Sequence, residues 1–191
     1  YTTDITNAIN QSSSNPVIIK FPNDISIWQD ITLNWGTDSK PVILIFENVT
    51  FGGNKINVNI TGNLIVKKNL TMNGGGGSGA NGSGISIKKT NNGLYGNLFV
   101  NESFTFSQPA KASVQGNIRT KNLNVKGDFS AANIYNSNSM VIEDGSKVTV
   151  SNGNIHTNAF TLKGSSGVTT KNLYTTTDIS LTNTGTLTAA A

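Results

Sequence analysis

Apolar and polar residues alternate with a period of two along much of the chain, and the alternation recurs in similar lines. In the second half, each line opens with Asn followed by Leu or Ile, continues to an apolar-x-apolar triplet, and closes on one more apolar position. The line from Gly116 opens with Asn117 and Ile118 and has its triplet at Leu123 and Val125. A period of two is typical of strands with one buried side. Each line therefore predicts three short strands.

The same line can be followed towards the N-terminus, where two lines share the opening Pro-Val-Ile. The eight lines begin at residues 16, 41, 62, 96, 116, 132, 153 and 171. A unit of roughly 20 residues cannot bury its apolar side alone, so neighbouring units must stack to form a core. The sequence therefore predicts an all-β chain that forms a single-stranded parallel β-helix, a solenoid of about eight three-strand rungs.

The first residues depart from this repeat and predict a helix. Asp4 can cap a short helix over residues 4–11, in which Ile5, Ala8 and Ile9 form one apolar face. Such a helix would cover the open edge of the first rung. We therefore expect an N-terminal cap helix that plugs the end of the solenoid.

The stretch from this helix into the first strand resembles a known family. The residues D-I-T-N-A-I-N, a polar link and P-V-I-I-K-F-P-N-D-I-S-I resemble the start of pectate-lyase-like right-handed β-helices. The resemblance covers residues 4–27 directly and the rest of the chain by its repeat pattern only. It implies a right-handed solenoid.

A glycine-rich segment over residues 73–84 interrupts the third rung. It contains a literal G-x-G-x-x-G at Gly77, Gly79 and Gly82, but the amphipathic helix that a phosphate-binding loop needs does not follow. We interpret the segment as a loop insertion, which explains the long interval between two of the rung starts.

Composition is consistent with one domain over residues 1–191. The chain is 36% apolar and 13% charged, contains no cysteine, and carries a formal net charge of +4. The basic residues are scattered, so no nucleic-acid partner is expected. No apolar stretch is long enough to cross a membrane, and no cofactor motif is present. We expect a fragment of a larger exported protein, located outside the cell or on its surface.

One asparagine occupies the same place in six rungs. Asn tolerates the left-handed backbone conformation that a sharp corner needs, and stacked amides can hydrogen-bond from rung to rung. We predict that this ladder is structural. Its members are Asn63, Asn97, Asn117, Asn133, Asn154 and Asn172.

Planar side chains occupy the outward position just after the inward Leu or Ile in five consecutive rungs. Stacked rungs would place them about 4.8 Å apart on one face. An aromatic surface can stack on the apolar side of a sugar while neighbouring polar groups bind its hydroxyls. The alternatives are that aromatic residues simply favour exposed strand faces, that the stack stabilises the sheet, and that another domain covers this surface. The predicted ligand-binding residues are Phe99, Arg119, Tyr135, His156 and Tyr174, after Ile65 in the rung before them.

Catalytic chemistry has few candidates in this sequence. Asp128, Glu143 and Asp144 fall at matching places in successive lines and could form a carboxylate cluster, although solvated corner residues are the simpler interpretation. His156 is the single histidine, which argues against a histidine-based triad or metal site. We expect the two tryptophans, Trp28 and Trp35, to pack inward near the cap.

These patterns together favour a non-catalytic adhesion module that presents a flat β-face to a polysaccharide, such as a cellulose-like polymer, or to another surface. In architecture and Asn/Lys-rich composition the chain is similar to pilus-associated bacterial surface β-helix proteins such as the tāpirins. The expected partners are a polysaccharide or cell-surface polymer and the remaining domains of the parent protein. Two alternatives stay open: a fragment of a polysaccharide lyase or glycoside hydrolase, and a structural spacer.

Overall fold

The computed structural model describes residues 2–74, 83–106, 110–182 and 184–189. It contains one helix, α1 (Thr2–Gln11), followed by strands that all belong to one parallel sheet. The strands are β1 (Val17–Phe21), β2 (Ile25–Trp28), β3 (Thr32–Trp35), β4 (Val42–Phe46), β5 (Val49–Gly53), β6 (Asn57–Val66), β7 (Leu70–Gly74), β8 (Gly84–Lys88), β9 (Leu98–Phe106), β10 (Ala110–Val125), β11 (Gly127–Ile142), β12 (Lys147–Thr157), β13 (Ala159–Leu162), β14 (Gly167–Thr175), β15 (Ile179–Leu181) and β16 (Thr186–Ala189).

The strands stack into a parallel β-solenoid with three faces, and each face receives one strand segment from each of eight rungs. The first face runs from β1 and β4 through segments of β6 and β9–β12 to the end of β14. The second face runs from β2 to β15, and the third from β3 to β16. The predicted solenoid of about eight three-strand rungs is confirmed.

The core is one continuous column of apolar side chains inside the solenoid. The residue after each ladder asparagine points inward, as predicted: Leu64, Leu98, Ile118, Ile134 and Ile155 are fully buried, and Leu173 in the last rung is partly buried. A buried strand position every second residue alternates with an outward one, as in the repeating pattern of β6. Each rung therefore gives the core its inward side chains and leaves its outward ones for surface chemistry.

The cap helix is present but differs in detail from the prediction. It begins at Thr2, so Asp4 lies in its first turn rather than capping it. Ile5 and Ile9 are buried against the first rung, whereas Ala8 is exposed, because the helix touches the core only through its narrow Ile5–Ile9 edge. The Lys40 ammonium donates a hydrogen bond to the carbonyl of Asn10 over 3.0 Å, which ties the end of the helix to the second rung.

The asparagine ladder is confirmed as a chain of rung-to-rung hydrogen bonds. The Asn97 backbone N–H donates to Asn63 Oδ1, that of Asn117 donates to Asn97 Oδ1, and the Asn133 side-chain amide donates to Asn117 Oδ1. The last links join Asn154 to Asn133 and Asn172 to Asn154. The expected left-handed conformation is wrong: among the described residues Tyr95 is the one non-glycine residue with positive φ. The asparagines lie in or beside extended strands, and the side-chain oxygen of each but the last accepts from the backbone N–H or side-chain amide of the asparagine in the next rung.

Glycines before the ladder allow the corners of successive rungs to approach closely. A Cβ on Gly153 would lie 1.7 Å from the Ala132 carbonyl oxygen, and one on Gly62 would lie 1.9 Å from that of Val42. Real carbon and oxygen atoms cannot come so close, so these two corners accept glycine alone.

The predicted loop insertion at 73–84 lies mainly outside the described residues, including its glycines at 77, 79 and 82. Its borders are strands: Asn73 and Gly74 end β7, and Gly84 begins β8. Ser83 is buried, and its hydroxyl donates to the Gly53 carbonyl. The strands before and after the segment therefore both stay in register with the neighbouring rung.

The eighth rung covers the seventh but is itself not covered by the described chain. Ile179, Leu181 and Leu187 are exposed for this reason, although their equivalents in earlier rungs are buried. No helix in the described part of the chain is long and apolar enough to span a membrane.

Candidate binding groove on the first face

The predicted outward column exists on the first face and extends over all eight rungs. Successive strands pair in parallel register, so each member lies directly above the one before it, about 4.8 Å away. From the first rung to the eighth the column contains Lys20, Ile45, Ile65, Phe99, Arg119, Tyr135, His156 and Tyr174. The sequence pattern found the last six of these positions. Their role in binding stays a prediction.

The planar groups at the C-terminal end of this column stack on one another. The Tyr135 and His156 ring centroids lie 5.2 Å apart with planes 16° from parallel, and those of His156 and Tyr174 lie 4.6 Å apart at 19°. The Arg119 guanidinium carbon lies 5.5 Å from the Tyr135 centroid, in cation–π contact. Four consecutive rungs thus form one offset stack.

This mutual stacking changes what the column offers to a ligand. Tyr135 and Tyr174 cover both faces of the His156 ring, and Arg119 and His156 cover those of Tyr135, so neither of these two rings can also stack on a sugar. The outer face of Tyr174, a residue that is 50% exposed, is free of such a neighbour in the described chain. The stack therefore presents mainly ring edges, phenol oxygens and imidazole nitrogens, which are hydrogen-bonding groups.

A groove of about 740 Å³ runs beside the column, within the size range of small-molecule and cofactor sites. Its floor includes Ile65, Phe99, Arg119, Tyr135 and His156. Its side is a second outward column two residues further along each rung, made of Lys67, Asn101, Lys121 and Ser137. This second column was not predicted, although period-two alternation from the first column places it on the same side.

The groove is electropositive. Arg119, Lys121 and Lys67 line it, and no carboxylate lines it in the described part of the chain. Lys67 is paired with Glu47, whereas Arg119 and Lys121 form no ion pair with the described residues. Two cations are therefore available to an anionic group in the groove.

The three candidate carboxylates do not form a cluster, so their predicted matching places are wrong. Asp128 lies in β11 opposite Lys111 and Lys147, and its Oδ2 is 3.9 Å from the Lys111 ammonium. Glu143 and Asp144 lie instead in the corner after β11. This corner is four residues long, whereas the equivalent corner one rung earlier is Lys126 alone. Residues at similar distances from the triplets in the sequence therefore do not lie above one another in the stack.

Each of the two corner carboxylates has its own partners. Glu143 pairs with Lys163 at 3.1 Å and accepts a hydrogen bond from Asn124. The backbone N–H and hydroxyl of Ser165 donate to Asp144 Oδ1 over 2.6 and 2.9 Å, and these bonds hold the pKa of Asp144 below its usual value of 3.8. Among the described residues no group of three or more histidine or acidic side chains could hold a metal ion.

The two tryptophans have opposite environments, which corrects half of the prediction. Trp35 is fully buried, as expected, but Trp28 is 59% exposed. Ile25 and Ile27 point inward, so alternation along β2 directs Trp28 outward onto the second face. The sequence contained this signal in the I-S-I-W pattern.

Comparison of the chain with family models, with curated proteins and with solved structures found no match. The interpretation of the groove therefore rests on its own geometry.

Proposed function

We propose that this chain is a non-catalytic adhesion module that holds a polysaccharide along the groove of the first face. The observation that carries the proposal is the unbroken stack of Arg119, Tyr135, His156 and Tyr174, whose first three members line the floor of that groove. Its polar edges recur at the spacing of the rungs, so a polymer can be bound by many weak, repeated contacts. We place such a module outside the cell or on its surface.

Hydrogen bonding, more than ring stacking, supplies the contacts in this proposal. Phenol, imidazole and guanidinium groups can bind sugar hydroxyls, and Asn101, Lys121 and Ser137 offer further donors and acceptors from the other side of the groove. The open face of Tyr174 supplies one stacking surface at the end of the row. A linear polymer lying along the axis would reach all of these groups.

The mutual stacking favours a second candidate, a structural spacer. Rings that cover each other stabilise neighbouring strands, as cross-strand pairs do in other sheets. The asparagine ladder stabilises the same face. In this case the first face holds the rod rigid and has no ligand.

A polymer pull-down distinguishes the two candidates. The intact chain, a Tyr135→Ala/Tyr174→Ala double variant and a Tyr95→Ala control are incubated with insoluble and soluble polysaccharides, after thermal unfolding has been compared. The adhesion module predicts that the intact chain and the control bind at least one polymer and that the double variant binds at least tenfold less. Absence of binding by all three, with reduced stability of the double variant alone, would support the spacer.

A further inference from the structure

Trp28 is held in a position unlike that of any other exposed ring in the described chain. It lies in the first rung on the second face, and its strand partner in the second rung is Gly52. A Cβ built on Gly52 would lie 2.5, 2.7 and 2.9 Å from Cε3, Cζ3 and Cδ2 of the indole. The six-membered ring therefore lies directly over the Gly52 backbone, in space that any larger residue would fill.

This arrangement fixes the ring and leaves one of its faces open. The inner face rests on the backbone at Gly52, and the side chain is still 59% exposed, so the outer face meets solvent. In the first-face stack, Tyr135 and His156 are covered on both faces, and the Tyr174 ring rests on the His156 ring, where Trp28 rests on backbone. A supported indole loses little conformational freedom on binding, which favours affinity from a small contact area.

Uncommitted polar groups surround the indole. Ser26 and Thr50 form the adjacent outward column, and Asn73 follows Gly52 in the third rung. The side chains of these three residues make no hydrogen bond within the described chain, and none carries a charge. The nearby carboxylate of Asp30 already accepts hydrogen bonds from the backbone of Asn54 and Lys55. The surroundings therefore suit a neutral ligand that is rich in hydroxyl groups.

We propose that Trp28, seated on Gly52, is a stacking platform for a neutral pyranose unit, and that it forms a second saccharide site on a face separate from the groove. The apolar side of a β-linked sugar lies on the open indole face, and its hydroxyls bind Ser26, Thr50 and Asn73. The site is built by the second face alone and does not depend on the first-face stack. With both sites present, one module can hold two polymer chains or two segments of one chain.

Tryptophan fluorescence tests this directly, because Trp28 is exposed and Trp35, the other tryptophan, is fully buried. The intact chain is titrated with cellohexaose, xylohexaose and mannohexaose. A saturable blue shift and intensity change is expected with at least one of them, together with protection from acrylamide quenching. The fluorescence change should be absent in Trp28→Ala. In Gly52→Val the apparent affinity for the hexasaccharide should be at least tenfold lower, because the valine side chain fills the space under the indole.

Two further measurements separate the possible outcomes. The Tyr135→Ala/Tyr174→Ala variant should keep the fluorescence response, which makes it independent of the proposed groove function. Calorimetry that finds equal hexasaccharide affinity in Trp28→Ala and the intact chain would overturn the platform while leaving the groove proposal standing. No saturable response to any of the three hexasaccharides would also overturn it.

Discussion

The imidazole of His156 lies between two phenol rings, and its centroid is only 4.6 Å from that of Tyr174. This contact links the seventh and eighth rungs on their outer side, where no core packing can do so. The His156 ring can therefore stabilise the fold through stacking, bind a ligand through its nitrogens, or do both. Substitutions can separate them.

Replacing His156 with alanine should lower the free energy of unfolding by about 1 kcal/mol, because two ring contacts are lost at a partly exposed site. His156→Phe should keep the stack and remain close to the intact chain in stability. Urea unfolding followed by circular dichroism measures both. Equal stability of the alanine variant and the intact chain would show that the stack contributes nothing. If the groove binds through ring edges, His156→Phe should still lose polymer affinity.

The electropositive groove predicts salt-sensitive binding of anionic polymers. A carboxylated polysaccharide should bind more tightly than its methyl ester in dilute buffer, and the difference should disappear near 1 M salt, where the Debye length is about 3 Å. Arg119→Gln/Lys121→Gln should remove the difference. The control Lys111→Gln/Lys147→Gln changes net charge equally on the third face and should preserve it. A difference unaffected by the groove variant would place the anion elsewhere.

The corner at Gly153 should reject any side chain. Gly153→Ala would place a Cβ 1.7 Å from the Ala132 carbonyl oxygen, so the two rungs must separate locally, at a cost of about 1–3 kcal/mol. The matched control is Gly167→Ala, whose Cβ would find no atom closer than 4.0 Å. Chemical unfolding should show a change of less than about 0.5 kcal/mol for the control. Similar stability of both variants would contradict the close approach.

Asp144 should make stability depend on pH in acid. Its pKa is lower in the folded chain than its usual value because Ser165 donates two hydrogen bonds to it. Its contribution is therefore fully present above pH 3.8 and is lost as the pH falls through the lower, folded-state pKa. Thermal unfolding of Asp144→Asn and the intact chain should differ at pH 6 and converge at strongly acid pH. The control is Asp178→Asn, because the Asp178 carboxylate accepts no hydrogen bond from the described chain. A difference in unfolding temperature between Asp144→Asn and the intact chain that stays constant at all pH values would refute the linkage.

The sequence was sufficient to predict the rungs because each one repeats the same physical requirement. An inward Leu or Ile after an asparagine must recur for the core and the amide ladder to continue, as Ile134 and Asn133 do in the sixth rung. The outward column followed from the same alternation. The stacking of His156 between two tyrosines did not, because side-chain torsions decide whether neighbouring rings lie flat or cover each other.

The wrong predictions for the carboxylates and for Trp28 have a different cause. Both relied on neighbours in the sequence that a corner separates in the structure. Asp128 and Asp144 both follow an apolar triplet within three residues, but Asp128 lies in a strand and Asp144 in a longer corner, so the two are not equivalent in the stack. Trp28 was expected to pack inward near the cap, although its own strand alternates the other way. Its seat depends on Gly52, which is distant in sequence and adjacent only after the rungs have stacked.

The corners also determine how this protein can change without losing its shape. Between β8 and β9 the chain leaves the rung through a turn at Thr90–Gly93, yet Gly96 still donates a hydrogen bond to the Gly62 carbonyl and the first face continues in register. Residues gained or lost at a corner therefore alter the outline of the rod, whereas substitutions on a face alter its chemistry at fixed spacing. The outward residues can therefore be substituted one at a time while their spacing along the rod stays the same. New ligand preferences can arise on it without redesign of the fold.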